Sequence, residues 1–179
     1  MDFTEKQLDS SCKYNGLIVN VRMDNAELFN GHVVRREVVE HPGGVCVLPV
    51  DEEGSCYMVK QFRYPMQKMM LEAPAGKLEP GEDVKFSAQR ELSEETGFTA
   101  DEWIDFGTYA TSPGISTEML HMYLARGLHP GKTHPDPDEY LNIEKIPLEK
   151  LVEMVMNNEI DDGKTIVAVL KADKYLRKL

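Results

Sequence analysis

The chain has 179 residues, with 20 Lys and Arg against 31 Asp and Glu, a formal net charge of −11. That acidic excess excludes a protein that lives by neutralising phosphate backbones, so a nucleic acid polymer is not an expected partner. Apolar residues at 41% and charged residues at 28% are those of an ordinary globular chain with enough material for a core, not of a disordered one. Cys12, Cys46 and Cys56 are odd in number and scattered, and Cys46 and Cys56 sit inside apolar runs, the pattern of free thiols in a reducing cytosol. The opening MDFTEKQLDS has neither a basic start nor an apolar stretch, and no run is long enough to span a bilayer. A cytoplasmic protein with no membrane partner is expected.

In chain order, the short β-branched runs 16–23, 32–40 and 44–50 predict strands, separated by turn signals at Asp24-Asn25, Asn30-Gly31 and Pro42-Gly43. Residues 55–64 and 69–73 continue the pattern, with a hairpin loop at 51–54. From Pro74 the texture changes to a Gly/Pro-rich loop, followed by helix formers from Asp83 to Thr96 and a left-handed cap expected at Gly97. Strands are predicted at 103–111 and 118–125 around the loop SPGIST, and 127–139 reads as a Pro/His/Asp loop. Leu148, Leu151, Val152 and Val155 then recur at helical spacing after Pro147, and a closing helix is predicted from Lys164 to Leu179. The whole is a layered α/β chain, with an N-terminal β appendage at 1–42 and the main domain at 43–179.

Glu91, Glu94 and Glu95 fall within an arc of about 100° on the predicted helix, because positions three and four apart share a face. Like charges repel there, and near a helix C-terminus the dipole disfavours them further. Val84 and Ala88 lie on the same side, so this face is directed at the protein body. A hard divalent cation would turn the repulsion into a shared ligand set, and Mg²⁺ fits best, taking carboxylates, waters and substrate phosphate. A solvated acidic helix end is the competing account of the same residues.

The segment GKLEPGEDVKFSAQRELSEETGF at 76–98 fills every defined position of the Nudix box: Gly76, Glu82, Arg90, Glu91, Leu92, Glu94, Glu95, Gly97 and Phe98. The chain therefore resembles a Nudix hydrolase. The resemblance implies an α/β/α sandwich with a mixed sheet, preceded by an antiparallel β appendage, that holds Mg²⁺, or Mn²⁺ in its place, and hydrolyses a nucleoside diphosphate linked to another moiety. The implied metal ligands are Glu91, Glu94, Glu95 and the carbonyl of Ala75, which Gly76 leaves free by permitting a close backbone approach. Arg90 can pair with Glu82 and orient the carboxylates.

Beyond the box, residues 28–51, QFRYP at 61–65, LEAPAGKLEPGE at 71–82 and SPGISTE at 112–118 resemble the ADP-ribose pyrophosphatase subgroup. There a proline lies about 16 residues past the last glycine of the box, as Pro113 does past Gly97. Nucleotide-sugar hydrolases acting on ADP-glucose or GDP-mannose share much of the pattern and stay open as alternatives. A non-catalytic nucleotide-binding regulator is a third, although it would be marked by loss of a box glutamate, and all three are present. The subgroup is implied to be a homodimer in which the N-terminal β segment of one subunit serves the other's nucleotide site, through Arg35 and Arg36. Arg63 is assigned to the pyrophosphate. Pro113, Gly114 and Glu118 are assigned to the substrate, with Glu118 at the terminal ribose hydroxyls. Phe3, Tyr14, Phe29 and Tyr64 are candidate adenine stackers. The family's loop carboxylate maps to the cluster Asp136, Asp138 and Glu139, where Pro137 interrupts the usual acidic run; Glu139 is ranked first as base, with Glu94 the fallback.

Overall fold

Six consecutive buried residues, Gly44–Pro49, form a strand hydrophobic on both faces, which only a sheet covered on both sides can hold. Alternation sends Cys46 and Leu48 to one core with Leu151, Val155, Ala168 and Val169, and Val45 and Val47 to another with Ala88 and Leu92. The first of these cores is roofed by two helices and the second by one, which produces the α/β/α layering.

The computed structural model describes residues 1–135 and 140–178. Its strands are β1 Lys6–Asn15, β2 Asn20–Glu27, β3 Val33–Glu40, β4 Gly44–Pro49, β5 Ser55–Arg63, β6 Lys68–Glu72, β7 Ala75–Lys77, β8 Phe98–Ala110, β9 Met119–Pro130 and β10 Leu141–Pro147. Its helices are α1 Val84–Thr96, α2 Leu148–Met156 and α3 Gly163–Leu176. Three sheets result, ordered β1-β2-β3, β10-β5-β6 and β7-β4-β9-β8. The last is mixed, because β4 pairs antiparallel with β7 and parallel with β9.

The chain divides into two units, Met1–Gly43 with Ala110–Met119, and Gly44–Tyr109 with Leu120–Leu179. In the first, the antiparallel sheet β1-β2-β3 is joined by residues 115–117, where Val39 N–H donates to the Ile115 carbonyl at 2.7 Å and Thr117 N–H to the Val39 carbonyl at 3.0 Å. In the second, α1 begins on Asp83, whose carboxylate accepts from Phe86 N–H at 3.0 Å, and ends on Gly97 at φ 74°. Among the described residues no helix is long and apolar enough to cross a membrane.

Several elements differ from the sequence expectation. Asp24-Asn25 is not a turn but lies inside β2, where Arg22 pairs with Asp24 and the Asn25 amide donates to Asp9 at 2.9 Å. Cross-strand partners there replace the turn that the dipeptide would otherwise form. The same pairing makes a strand of β1, whose ten residues are all exposed and so carry no apolar period. The segment expected as loop from Gly127 stays in β9 to Pro130, with Gly127 at φ 64° supplying the bend. β7 and β10 were not expected, and α2 starts at Leu148, with Pro147 as its cap residue.

Gly97 meets two demands at once. Its φ lies in the left-handed region, and a Cβ there would stand 3.0 Å from the Gly131 carbonyl oxygen and from Thr133 N. Gly97→Ala is expected to cost about 1–2 kcal/mol from the backbone conformation alone, more if residues 131–133 must shift. Urea denaturation reads this as a lower midpoint at unchanged slope; an unaltered midpoint would show the cap to be dispensable.

Candidate active site

The buried face of α1 is unusual in carrying charge. Ala88 and Leu92 pack into the core, yet Glu91 is only 8% exposed and Glu95 only 2%. Buried carboxylates need charge-assisted partners to offset desolvation, and the loop before the helix supplies them. Ala75 N–H donates to Glu95 at 3.0 Å. Glu91's carboxylate lies against Gly76, in the space that any Cβ at that position would occupy. Glycine is required here for room, since its φ is not in the left-handed region.

Arg90 gathers the remaining charge. Its Nε donates to Glu82 at 2.8 Å and Nη2 to the other Glu82 oxygen at 3.1 Å, while Nη1 reaches both Glu91 and Glu94 at 2.8 Å. The hydrogen bonds to Arg90 hold the Glu82 carboxyl down at about 2, and the Glu82 partnership in turn raises the guanidinium pKa. Repulsion among the helix acids is thus met by a cation one residue away in sequence. Ala75, Glu91, Glu94 and Glu95 offer oxygen donors only, with Glu91 set where a Cβ at position 76 would stand, and such donors suit a hard divalent ion in kind. Among the described residues no three acidic, His or Cys side chains converge on one point.

A second charged cluster was not read from the sequence. Arg63, at the end of β5, donates from Nε and Nη2 to the two oxygens of Glu72, both at 2.7 Å. Glu72 is 1% exposed and also pairs with Lys164, which bonds Asp162 at 2.9 Å. Burial opposes the charge on Glu72, but Arg63 and Lys164 outweigh it and its carboxyl lies below the ordinary range. Burial likewise opposes the Lys164 ammonium, which Asp162 and Glu72 nonetheless raise. Thr165 Oγ1 accepts from Ala73 N–H at 2.8 Å, fastening the end of β6 to the start of α3. Cys46, its thiol pushed by burial up to about 12, lies within the fields of Lys164, Asp162, Glu95 and Glu72, so the two clusters adjoin. The signals available were Glu72 inside the apolar run MMLEA and an Asp capping position before Gly-Lys-Thr.

Most of the remaining candidates belong to the first unit. Arg35 and Arg36 are neighbours on an extended strand and leave it on opposite faces, so they cannot act as one fork on one group. Arg36 grips Glu5, with Nη2 at 2.7 Å and Nε at 2.9 Å, whereas Arg35 borders a shallow hollow with Asp9, Lys13 and Asn25. Pro113 and Gly114 are exposed at a turn. Glu118 accepts from the Thr111 hydroxyl and stands 3.4 Å from His41 Nδ1. Phe3 and Phe29 meet edge to face at 5.1 Å, while Tyr14 and Tyr64 are exposed. Asp136, Asp138 and Glu139 lie outside the described residues. The chain leading to them is anchored on α1, because His134 N–H donates to the Glu94 carbonyl at 3.0 Å.

Comparison with known proteins places this geometry. A methanol dehydrogenase activator of Bacillus methanolicus is 38% identical over 93% of this chain and 91% of its own length. An ADP-ribose pyrophosphatase of Bacillus subtilis strain 168 is 40% identical over 92% of this chain and 90% of its own. A crystal structure of an ADP compounds hydrolase superposes with a TM-score of 0.84 over 99% of this chain and 97% of that one, at 20% identity, which speaks for the fold alone. The NUDIX domain matches residues 40–168, a span that holds the glycine, the arginine and every buried glutamate described above, and the chain belongs to the Nudix family.

Proposed function

We propose that the chain is a divalent-metal-dependent pyrophosphohydrolase that cleaves ADP-ribose, with water, to AMP and ribose 5-phosphate. The observation that carries this reading is the pair of buried carboxylates, Glu91 and Glu95, held on one face of α1 against the Ala75–Gly76 backbone. The likeness to a Bacillus subtilis ADP-ribose pyrophosphatase over nearly the whole chain supports the choice of substrate. The free thiols of Cys12, Cys46 and Cys56, the first of them exposed, suit a reducing, cytoplasmic setting.

In this reading Ala75, Glu91, Glu94 and Glu95 hold Mg²⁺, or Mn²⁺ in its place. When bound, the ion neutralises pyrophosphate oxygens and lowers the pKa of the attacking water. Arg90 keeps the carboxylates oriented from behind. Glu139, with Asp138 and Asp136 behind it, is the first candidate to take the water's proton, and Glu94, the least buried box glutamate, is the alternative. Arg63 meets the pyrophosphate, and Pro113, Gly114 and Glu118 are substrate contacts, Glu118 toward the terminal ribose hydroxyls.

The first unit supports a homodimer. It leaves Phe3, Leu8, Tyr14, Leu17, Phe29 and Val33 exposed, apolar side chains of the kind that a second protomer would cover. Arg35 and Arg36 are proposed to serve a second protomer's site, each from its own face of β3.

A panel of ADP-ribose, ADP-glucose and GDP-mannose with Mg²⁺ tests the substrate, and release of AMP from ADP-ribose at the highest kcat/KM is expected. Preferential GMP release would transfer the same chemistry to GDP-mannose. Glu95→Gln keeps the shape but removes a charge, and is expected to lower kcat at least about 100-fold with the fold retained. Near-normal turnover at saturating Mg²⁺ would sink the ligand assignment.

Light scattering is expected to show a dimer, and Arg35→Ala with Arg36→Ala to raise KM. A fully active monomer would refute both.

The Arg90 clamp has a pH signature. Glu82's folded pKa, about 2, is depressed from an ordinary 4.5, so its stabilisation is complete above that ordinary value and is lost as pH falls toward 2. The stability gap between the parent and Glu82→Gln should therefore be full at neutral pH and shrink on acidification through this window. A gap that stays constant down to the acid limit would mean that the ion pair contributes nothing.

A further inference from the structure

We propose that Lys164, at the start of α3, is a positioning residue that keeps Arg63 oriented and electrostatically available for a diphosphate. The proposal rests on the reading that Arg63 meets the substrate's pyrophosphate. It concerns what makes that possible, since Arg63 is already engaged.

A guanidinium has two edges on which a two-oxygen anion can sit. Glu72 occupies the Nε–Nη2 edge with two bonds of 2.7 Å, and Nη1 takes no partner among the described residues. The side chain is 39% exposed, and the edge that Glu72 does not occupy is the one left for an incoming anion. Phosphate oxygens match that remaining edge. An arginine closed into a neutral pair with a buried carboxylate would nonetheless attract an anion weakly, because the carboxylate's field cancels much of its charge nearby.

Lys164 changes that balance. Its ammonium bonds the same Glu72 oxygen that Arg63 Nη2 uses, and it is itself backed by Asp162. The cluster then has two cations against two carboxylates. Without Lys164 the carboxylates would outnumber Arg63, and Glu95, whose field Arg63 also feels, would add to the negative side. The shared oxygen also fixes the rotation of the Glu72 carboxylate, and with it the plane of the guanidinium. Lys164 is held in turn, because Asp162 caps α3 through Thr165 N–H at 3.1 Å and Thr165 takes the Ala73 N–H. Its side chain is 12% exposed and its bonds go to Glu72 and Asp162, so its action on Arg63 runs through Glu72.

The test is calorimetric binding of inorganic pyrophosphate with a chelator present, on the full chain, so that neither turnover nor metal enters. Lys164→Met should weaken binding about tenfold, the scale on which supporting partners act, and Lys164→Arg should recover most of it. In an Arg63→Ala background, Lys164→Met should add no further loss, because nothing is left for it to position. With ADP-ribose and Mg²⁺, the same substitution should raise KM more than it lowers kcat. If Lys164→Met does not fold, Lys164→Gln, which keeps a donor without the charge, is read in its place. The proposal is overturned if Lys164→Met binds pyrophosphate like the parent, if its loss is the same with and without Arg63, or if Arg63→Ala binds normally. If ADP-ribose is not hydrolysed while this pattern of pyrophosphate binding holds, the substrate reading fails and the role of Lys164 stands.

Discussion

One guanidinium underlies the arrangement of this chain. Arg90 touches Glu82, Glu91 and Glu94, and without it these three carboxylates would lose the cation they share. Desolvating an uncompensated carboxylate costs several kcal/mol, which is comparable to the whole stability of a domain this size. The helix could then neither pack Ala88 and Leu92 inward nor hold Glu91 against Gly76. Burial of the inward face of α1 and assembly of the acidic patch therefore draw on the same side chain. That coupling explains why the helix looks weakly amphipathic by sequence although it is a core element: its inward face alternates Ala and Leu with Glu.

The two charged clusters use opposite solutions. Around Arg90, one cation faces three acids, leaving net negative charge on the helix, which suits a divalent ion. Around Glu72, two cations and two acids are balanced in a nearly dry setting, and this suits a fixed scaffold from which one guanidinium end emerges. The backbone between them is short. Glu72 ends β6, Ala73 and Pro74 bond Thr165 and Val47, and Ala75 bonds Glu95, so each residue of the turn is tied to a different element. A segment held at every residue positions its carbonyls with little freedom, as a set of metal and phosphate contacts requires.

The legible part of the fold was the part under two-sided burial or with fixed backbone demands. The run Gly44–Pro49, the helix from about Asp83 and the Gly97 stop could be read directly, because both periodicity and cap chemistry are local. Strand β1 could not, since ten exposed residues have no inward face to leave a pattern. Asp24-Asn25 was misread for a related reason: turn propensity is local, but Asp9 on β1 and the paired strand β3 supply partners from elsewhere in the sheet. At the site, the box residues announced themselves by spacing within one helix and its loop. Glu72 and Lys164 lie far apart in sequence and meet only through folding, so no local spacing could have paired them.

The opposed faces of Arg35 and Arg36 bear on how a partner subunit could use them. A strand cannot aim two adjacent side chains at one ligand, so a shared role requires that the ligand, or the partner, wrap the strand. Arg36 is already bonded by Glu5 from the segment before β1, which makes it a fastener of the sheet in the single chain. Arg35 shares its hollow with Lys13, a second cation, and with Asp9, which also receives the Asn25 amide. Of the two, Arg36 has its charge met by Glu5 within the single chain, while Arg35 faces the hollow on the other side of the strand. The doublet's surroundings divide into one arginine bonded within the sheet and one beside an open hollow, a division that follows from the pleat of the strand and not from the residue type.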